Sequence, residues 1–295
     1  MTASANTIAQ VLNATGLLRG WLTRRVSQDV LDWLEQQAKS IGAGERPQSL
    51  AIAFGLVPRK VGKDDLDLGA TEHEAGRATR DGLDTTGWSI DQAARIFLVL
   101  ASFRGDEAAF FAGVDRVFST AEIGEQIALL RGLPLFPAPQ LFMARATEGV
   151  RSAMQPVFEA VAHRNPYPRD HFSNAQWNQM VVKTLFIGSR LAPVQGLDER
   201  RNADLARMLV DYADERRAAG RSISPELWRC VAPFAEEKEI ATLAAILRDG
   251  SESESSGAAL ALAECRSPAA AAALAARPDL AAAVEDGRIT WSTIA

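Results

Sequence analysis

Apolar residues recur at helical spacing along most of this chain, and they do not alternate over any stretch long enough for a strand. Leu205, Met208, Leu209 and Tyr212 follow the i, i+3, i+4, i+7 pattern that places side chains on one face of an α-helix. Another face with this spacing begins at Ile240. The sequence therefore predicts an all-α fold of stacked helical hairpins, arranged as an irregular HEAT-like solenoid or superhelix.

Composition divides the chain into three predicted parts. Residues 1–57 form an N-terminal helical segment. Residues 58–88 combine crowded charges with recurring glycines, and they predict a charged, glycine-rich linker or excursion. Residues 89–295 form the main helical domain, which begins at Ser89, a residue whose hydroxyl can cap a helix. From about residue 200 the predicted helices become short, which indicates the HEAT-like part of this domain.

Prolines set several of the predicted helix ends, because proline has no amide hydrogen to donate. Pro58 is predicted to end a helix over residues 48–57. Pro156 is predicted to kink or split a longer helix over residues 141–161. Between these two places, the excursion is predicted to contain one short helix around residues 70–79.

Charge and composition exclude several classes of function. The chain has 295 residues, a formal net charge of −5 and a pI near 5.4, so it lacks the basic surface of a general nucleic-acid binder. No stretch approaches the roughly 20 uncharged apolar residues of a membrane span, and the N-terminus does not resemble a signal peptide. Cys230 and Cys265 lie far apart, as is usual in reducing compartments. We predict a cytoplasmic protein that binds no nucleic acid and does not insert into a membrane.

The sequence contains no complete catalytic or cofactor motif: there is no GxSxG elbow, Walker A loop, GxGxxG after a strand, or HExxH. His163, His171 and the adjacent Asp170 fall short of the four ligands of a closed metal site. The Glu-His-Glu group at 72–74 lies in the excursion and is predicted to be a solvated surface. We therefore predict no metal and no cofactor, and we assign no catalytic residue.

The most unusual stretch lies in the middle of the chain, over residues 163–188. Two prolines separated only by Tyr167 predict a rigid turn. Ser173 and Gln176 then have the spacing of a capping box. The helix after that cap is apolar in nearly every direction, so it is predicted to be central and buried. Lys183 on this helix must then extend its ammonium to solvent, pair with a carboxylate, or line a polar cavity and contact a ligand.

Cationic, aromatic and amide side chains are concentrated in this stretch. Its histidines, arginines and Lys183 are close enough in sequence to converge on one face, where they could hold a phosphate or carboxylate group. The alternative is that they are solvated turn and cap residues. The candidate ligand-binding residues are His163, Arg164, Asn165, Tyr167, Arg169, His171, Trp177, Asn178, Gln179 and Lys183.

The same stretch resembles the EboA family of bacterial metabolite-traffic proteins. The resemblance rests on Asn165-Pro166-Tyr167-Pro168, Phe172, Trp177-Asn178-Gln179-Met180 and Lys183, with weaker similarity over residues 88–95, 277–280 and at Trp291. It implies a gene cluster that also encodes a UbiA-type prenyltransferase and sugar-phosphate-like enzymes, and that is associated with traffic of secondary metabolites. The implied partners are other proteins of this cluster, with the membrane prenyltransferase as one candidate. The resemblance implies no catalytic residue.

Two interpretations of function follow. The first is a non-catalytic accessory or scaffold protein of secondary-metabolite biosynthesis or traffic, which binds a pathway partner or a small anionic metabolite. The second is an enzyme, or a subunit of one, that acts on a polar pathway intermediate, with or without a phosphate group, through a pocket near the central block. The lack of catalytic motifs favours the first and leaves enzymatic activity open.

Overall fold

The computed structural model describes residues 2–44 and 48–294. Within these ranges it contains seventeen α-helices, three short 3₁₀ turns and no strand. The all-α prediction is thus confirmed, whereas the HEAT-like arrangement of the helices stays a prediction. None of the described helices is both long enough and apolar enough to cross a membrane.

Contacts divide the chain into two compact units, one through Phe172 and one from Ser173. The predicted boundaries at 57 and 88 follow composition rather than contacts, and that three-part division stays a prediction. The helices of the first unit are α1 (Ala5–Thr23), α2 (Gln28–Ala43), α3 (Ser49–Val61), α4 (Ala70–Thr79), α5 (Ile90–Ala101), α6 (Glu107–Thr120), α7 (Ile123–Gly132), α8 (Met143–Arg151), α9 (Gln155–Ala162) and α10 (Tyr167–His171). Those of the second unit are α11 (Asn174–Phe186), α12 (Ala203–Ala218), α13 (Leu227–Val231), α14 (Glu237–Asp249), α15 (Glu252–Glu264), α16 (Pro268–Ala275) and α17 (Pro278–Glu285).

Helix α5 is the centre of the first unit. It packs against α1, α2, α3 and α7, and ten of its twelve residues are buried. A helix that is buried on all sides needs apolar residues all round, and the run from Ile96 to Leu100 supplies them. The helix begins after Ser89, whose amide donates to Oε1 of Gln92 at 3.3 Å.

The prediction that Pro58 ends a helix is wrong. Helix α3 continues through Pro58 to Val61, although proline cannot donate to the carbonyl four residues earlier, which is that of Phe54. Nε of Arg95, on α5, donates to this carbonyl at 3.2 Å. The guanidinium also lies 5.2 Å from the centre of the Phe54 ring. A side chain from another helix therefore supplies the hydrogen bond that Pro58 cannot make.

The charged excursion contains the predicted short helix, with bounds at Ala70 and Thr79. The prediction of a solvated surface at 72–74 is wrong for Glu72, whose side chain is only 14% exposed. Its two carboxylate oxygens accept from Nη1 and Nη2 of Arg25, at 2.9 and 2.6 Å. No local sequence pattern indicates this pair, because Arg25 lies on a loop after α1, far away in the chain. This ion pair ties the excursion to the region of α1.

The long helix predicted over residues 141–161 is split, as expected. It forms α8 and α9, and Pro156 lies in the first turn of α9, where its missing amide hydrogen costs nothing. In the second unit the capping box is confirmed. Oγ of Ser173 accepts from the amide of Gln176 at 3.3 Å, and Oε1 of Gln176 accepts from the amide of Ser173 at 3.0 Å.

The prediction that α11 is buried on all sides is wrong. Trp177, Met180 and Val181 are buried, but Gln179 is exposed and the Phe186 side chain is 70% exposed. The apolar residues cover the core-facing side and part of the opposite side, so periodicity alone overstated the burial.

Elsewhere in the second unit, Cys230 of α13 is fully buried, and burial raises the pKa of its thiol to about 12. Cys265, which follows α15, is partly exposed.

Candidate functional site

The turn between α9 and α10 contains three of the candidate residues, and Asn165 holds it in place. Nδ2 of the buried Asn165 donates to the carbonyls of Leu130 and Ala160, at 3.1 and 2.9 Å. Its Oδ1 accepts from the amide of Tyr167 at 3.0 Å. Because three hydrogen bonds join the amide side chain to backbone partners, it fixes the turn, and Arg164 is held with a φ of 51°.

Tyr167 is completely buried at the start of α10. Its hydroxyl donates to the carbonyl of Pro139 at 2.6 Å, and its ring lies 4.7 Å from that of His171. Burial raises the pKa of the phenol well above its usual value, so it stays protonated at neutral pH. Tyr167 therefore anchors α10 to the proline-rich segment at 134–139 and supplies no base.

A cavity of about 400 Å³ lies beside this proline-rich segment, and we call it the proline-corner cavity. Its wall combines backbone and apolar groups of the corner with polar side chains of α1 and with His171. It is lined by Thr7, Gln10, Val11, Ala14, Thr79, Arg80, Glu107, Pro134, Leu135, Phe136, Pro137, Ala138, Pro139, Gln140 and His171.

The arginines at the edge of the proline-corner cavity are paired with carboxylates. Arg80 forms an ion pair with Asp170 and donates to the carbonyl of Pro134 at 3.1 Å. Arg169 donates to the same carboxylate at 2.7 Å and to Asp81 at 2.7 Å. Burial acts to raise the pKa of Asp170, but the hydrogen bonds from Arg169 and Arg80 lower it overall. This carboxylate is therefore ionised at neutral pH and balances the charge of Arg80.

His171 is the candidate residue that lines the proline-corner cavity. Burial lowers its pKa, and Arg80 lowers it further, while Asp170 opposes the change. The imidazole is therefore neutral near pH 7 and can both donate and accept a hydrogen bond.

Three other candidates of the first unit line a different cavity. His163, Arg164 and Asn165 line a space of about 70 Å³, which we call the Arg131 cavity. Arg131, at the end of α7, is a residue that the sequence analysis missed, because no pattern relates it to residues 163–165. The remaining lining residues are Thr86, Trp88 and Glu159.

In the second unit the candidates form part of the packing around α11 and α12. Trp177 is completely buried beneath Arg200, whose guanidinium carbon lies 4.7 Å from the ring centre. Asn178 exchanges two hydrogen bonds with Asn202, at 3.1 and 2.9 Å, and Asn202 caps α12. Lys183 is partly buried, which lowers the pKa of its ammonium. Ligand binding by any of these residues stays a prediction.

Among the described residues, no group of three or more His, Cys, Asp or Glu side chains could hold a metal ion. The fold and its cavities define a class of protein: an all-α protein with polar-lined cavities of ligand size. Residues 14–232 match the family model described as metabolite traffic protein EboA. Because this match covers most of the 295-residue chain, the protein belongs to the EboA family. Comparison with curated proteins and with solved structures gave no match.

Proposed function

We propose that this chain is a non-catalytic accessory protein of metabolite traffic that binds a small molecule in the proline-corner cavity. The observation that carries the proposal is the cavity itself. Its volume of about 400 Å³ lies within the range of small-molecule sites, and polar side chains share its wall with apolar groups. The family description supports a role in metabolite traffic.

The lining indicates what kind of molecule would fit. Leu135, Phe136 and the prolines offer apolar surface, while Gln10 and the neutral His171 offer hydrogen bonds. Arg80 is already paired with Asp170, so the cavity does not require a fully charged occupant. We expect a molecule with an apolar body and a few hydrogen-bonding groups.

Binding is favoured over catalysis by the state of the reactive side chains in the first unit. The phenol of Tyr167 is locked to a backbone carbonyl, and the carboxylate of Asp170 is held by two arginines. The second candidate function, an enzyme, rests on one observation: His171 is neutral at the cavity wall and could accept a proton. A partner from the same gene cluster stays part of the proposal, because a carrier must receive and deliver its cargo.

The test is to purify the protein from cells that carry the whole gene cluster and to examine it by native mass spectrometry. We expect a bound small molecule, and we expect it to be lost in Gln10→Trp, which places an indole in the cavity. Gln36→Trp is the matched control, because Gln36 is also an exposed glutamine of a helix but lies outside the cavity lining.

Three outcomes decide between the interpretations. Loss of the molecule in Gln10→Trp but not in Gln36→Trp supports binding at this cavity. Equal retention in both variants contradicts it. Conversion of the released molecule by the protein, abolished in His171→Gln, would establish the enzyme instead.

A further inference from the structure

The Arg131 cavity brings two arginines to one small space. Arg131 comes from the last turn of α7, and Arg164 comes from the turn after α9. The volume of about 70 Å³ is sufficient for one phosphate-sized group or a few water molecules. Trp88 closes one part of the wall, and His163 lies beside the arginines.

Among the described residues, Arg131 forms no ion pair with a carboxylate. Both of its hydrogen bonds, to the carbonyl of Gly87 and to Oε1 of Gln92, are made by Nη1 at 2.6 Å. Within residues 2–44 and 48–294, no carboxylate oxygen lies within 4.0 Å of its nitrogens. The rest of the guanidinium edge is therefore available to a ligand.

The ion pair of Arg164 is long and exposed to solvent. The closest carboxylate is that of Asp84, at 3.7 Å from Nε, and both side chains are more than a third exposed. The other oxygen of Asp84 already accepts from the amide of Thr86 at 2.9 Å. The backbone of Arg164 is left-handed, with a φ of 51°, a conformation that is unfavourable for a side chain of this kind. Asn165 supplies the hydrogen bonds that hold the turn in this conformation.

The two guanidinium groups repel each other across the cavity. Burial lowers the pKa of Arg131, and the positive charge of Arg164 lowers it further, against the opposing effect of Glu159. An anion between the arginines would offset this repulsion and could accept two-pronged hydrogen bonds from each fork. Glu159 disfavours anion binding, because its negatively charged carboxylate also lines the cavity.

We infer that the Arg131 cavity binds a small oxyanion, a phosphate or carboxylate group, between the guanidinium groups of Arg131 and Arg164. This is a second site, separate from the proline-corner cavity in its lining residues. It does not depend on the occupant proposed there.

The probes are inorganic phosphate and acetate, each titrated into the full chain by calorimetry at constant ionic strength, with chloride as the reference. We expect saturable binding of at least one of them. Arg164→Gln should weaken it about tenfold, since a charge-assisted hydrogen bond is lost. Glu159→Gln should strengthen it severalfold, because it removes a repelling charge from the wall. Arg59→Gln, on the exposed end of α3, is the matched control and should leave it unchanged.

The phosphate and acetate titrations distinguish the two kinds of oxyanion. No saturable heat beyond that of chloride, or an equal loss in Arg164→Gln and Arg59→Gln, would overturn the inference. Weaker binding in Glu159→Gln would overturn it as well. Gln10→Trp should not change the titration, so failure of this site and failure of the proposed function are distinguishable.

Discussion

Asn165 and Tyr167 show why a sequence alone does not distinguish ligand contacts from structural polar residues. Both can form hydrogen bonds, and the sequence does not reveal whether the partner is a ligand or the backbone. In the structure, all hydrogen bonds found for these two side chains go to backbone groups, as is usual for buried polar side chains. Asn165 also lines the Arg131 cavity, together with His163 and Arg164, while His171 lines the proline-corner cavity. The structural roles of Asn165 and Tyr167 depend on Leu130 and Pro139, which no local pattern connects to this segment.

At the same scale, Glu72 gives a prediction about stability and pH. Its carboxylate accepts from Arg25 first of all, and also from the amide of Gly69, which lowers its pKa from 4.5 to about 2. The carboxylate is stabilised in the folded state, so this stability is fully present above pH 4.5 and is lost as the pH falls towards 2. Glu72→Gln should lower the free energy of unfolding near neutral pH by about 2 kcal/mol.

Urea titrations at a series of pH values would measure this effect. The difference between Glu72→Gln and the unmodified protein should shrink as the pH falls below 4.5. Glu74→Gln, on the exposed side of the same helix, should cost much less. Equal losses in the two variants would mean that the ion pair contributes nothing beyond a surface charge.

Single helices were largely predictable, because the 3.6-residue period and the capping residues of a helix depend only on residues that are close in sequence. Helix α4 was predicted over its observed residues, and the split at Pro156 was expected. The errors arose where a distant residue changed the outcome. Pro58 does not end α3, because Arg95 takes the carbonyl of Phe54. Nothing near Pro58 in the sequence indicates that this donor exists.

The link between Pro58 and Arg95 can be tested by a double-mutant cycle. Arg95→Met alone should destabilise the protein strongly, since it also removes the partner of the buried Asp91. In a Pro58→Ala background the helix can bond the Phe54 carbonyl itself, so the same change should cost about 1 kcal/mol less. Equal costs of Arg95→Met in the two backgrounds, measured by denaturant unfolding, would show that the carbonyl does not connect the two residues.

At the scale of the molecule, the chain forms two compact units, and each has its own core. The sequence predicted one main domain from residue 89, because helical periodicity resumes after the turn predicted in the central stretch. Periodicity indicates which residues are buried but not which helices they pack against, and contacts alone define the division. For the same reason, the two cavities could not be predicted: Arg131 and the turn at 163–165 meet only after α7 and α9 have packed together.

The buried thiol of Cys230 can report how often the core of the second unit opens. With a pKa of about 12, this thiol is almost entirely protonated and shielded in the folded state, so an alkylating reagent can reach it only when the unit opens. In a Cys265→Ser background, we expect its labelling rate, followed by mass spectrometry, to rise steeply with low concentrations of urea. The partly exposed Cys265, in a Cys230→Ala background, should respond far less. The labelling rate then reports how often the core around Cys230 opens.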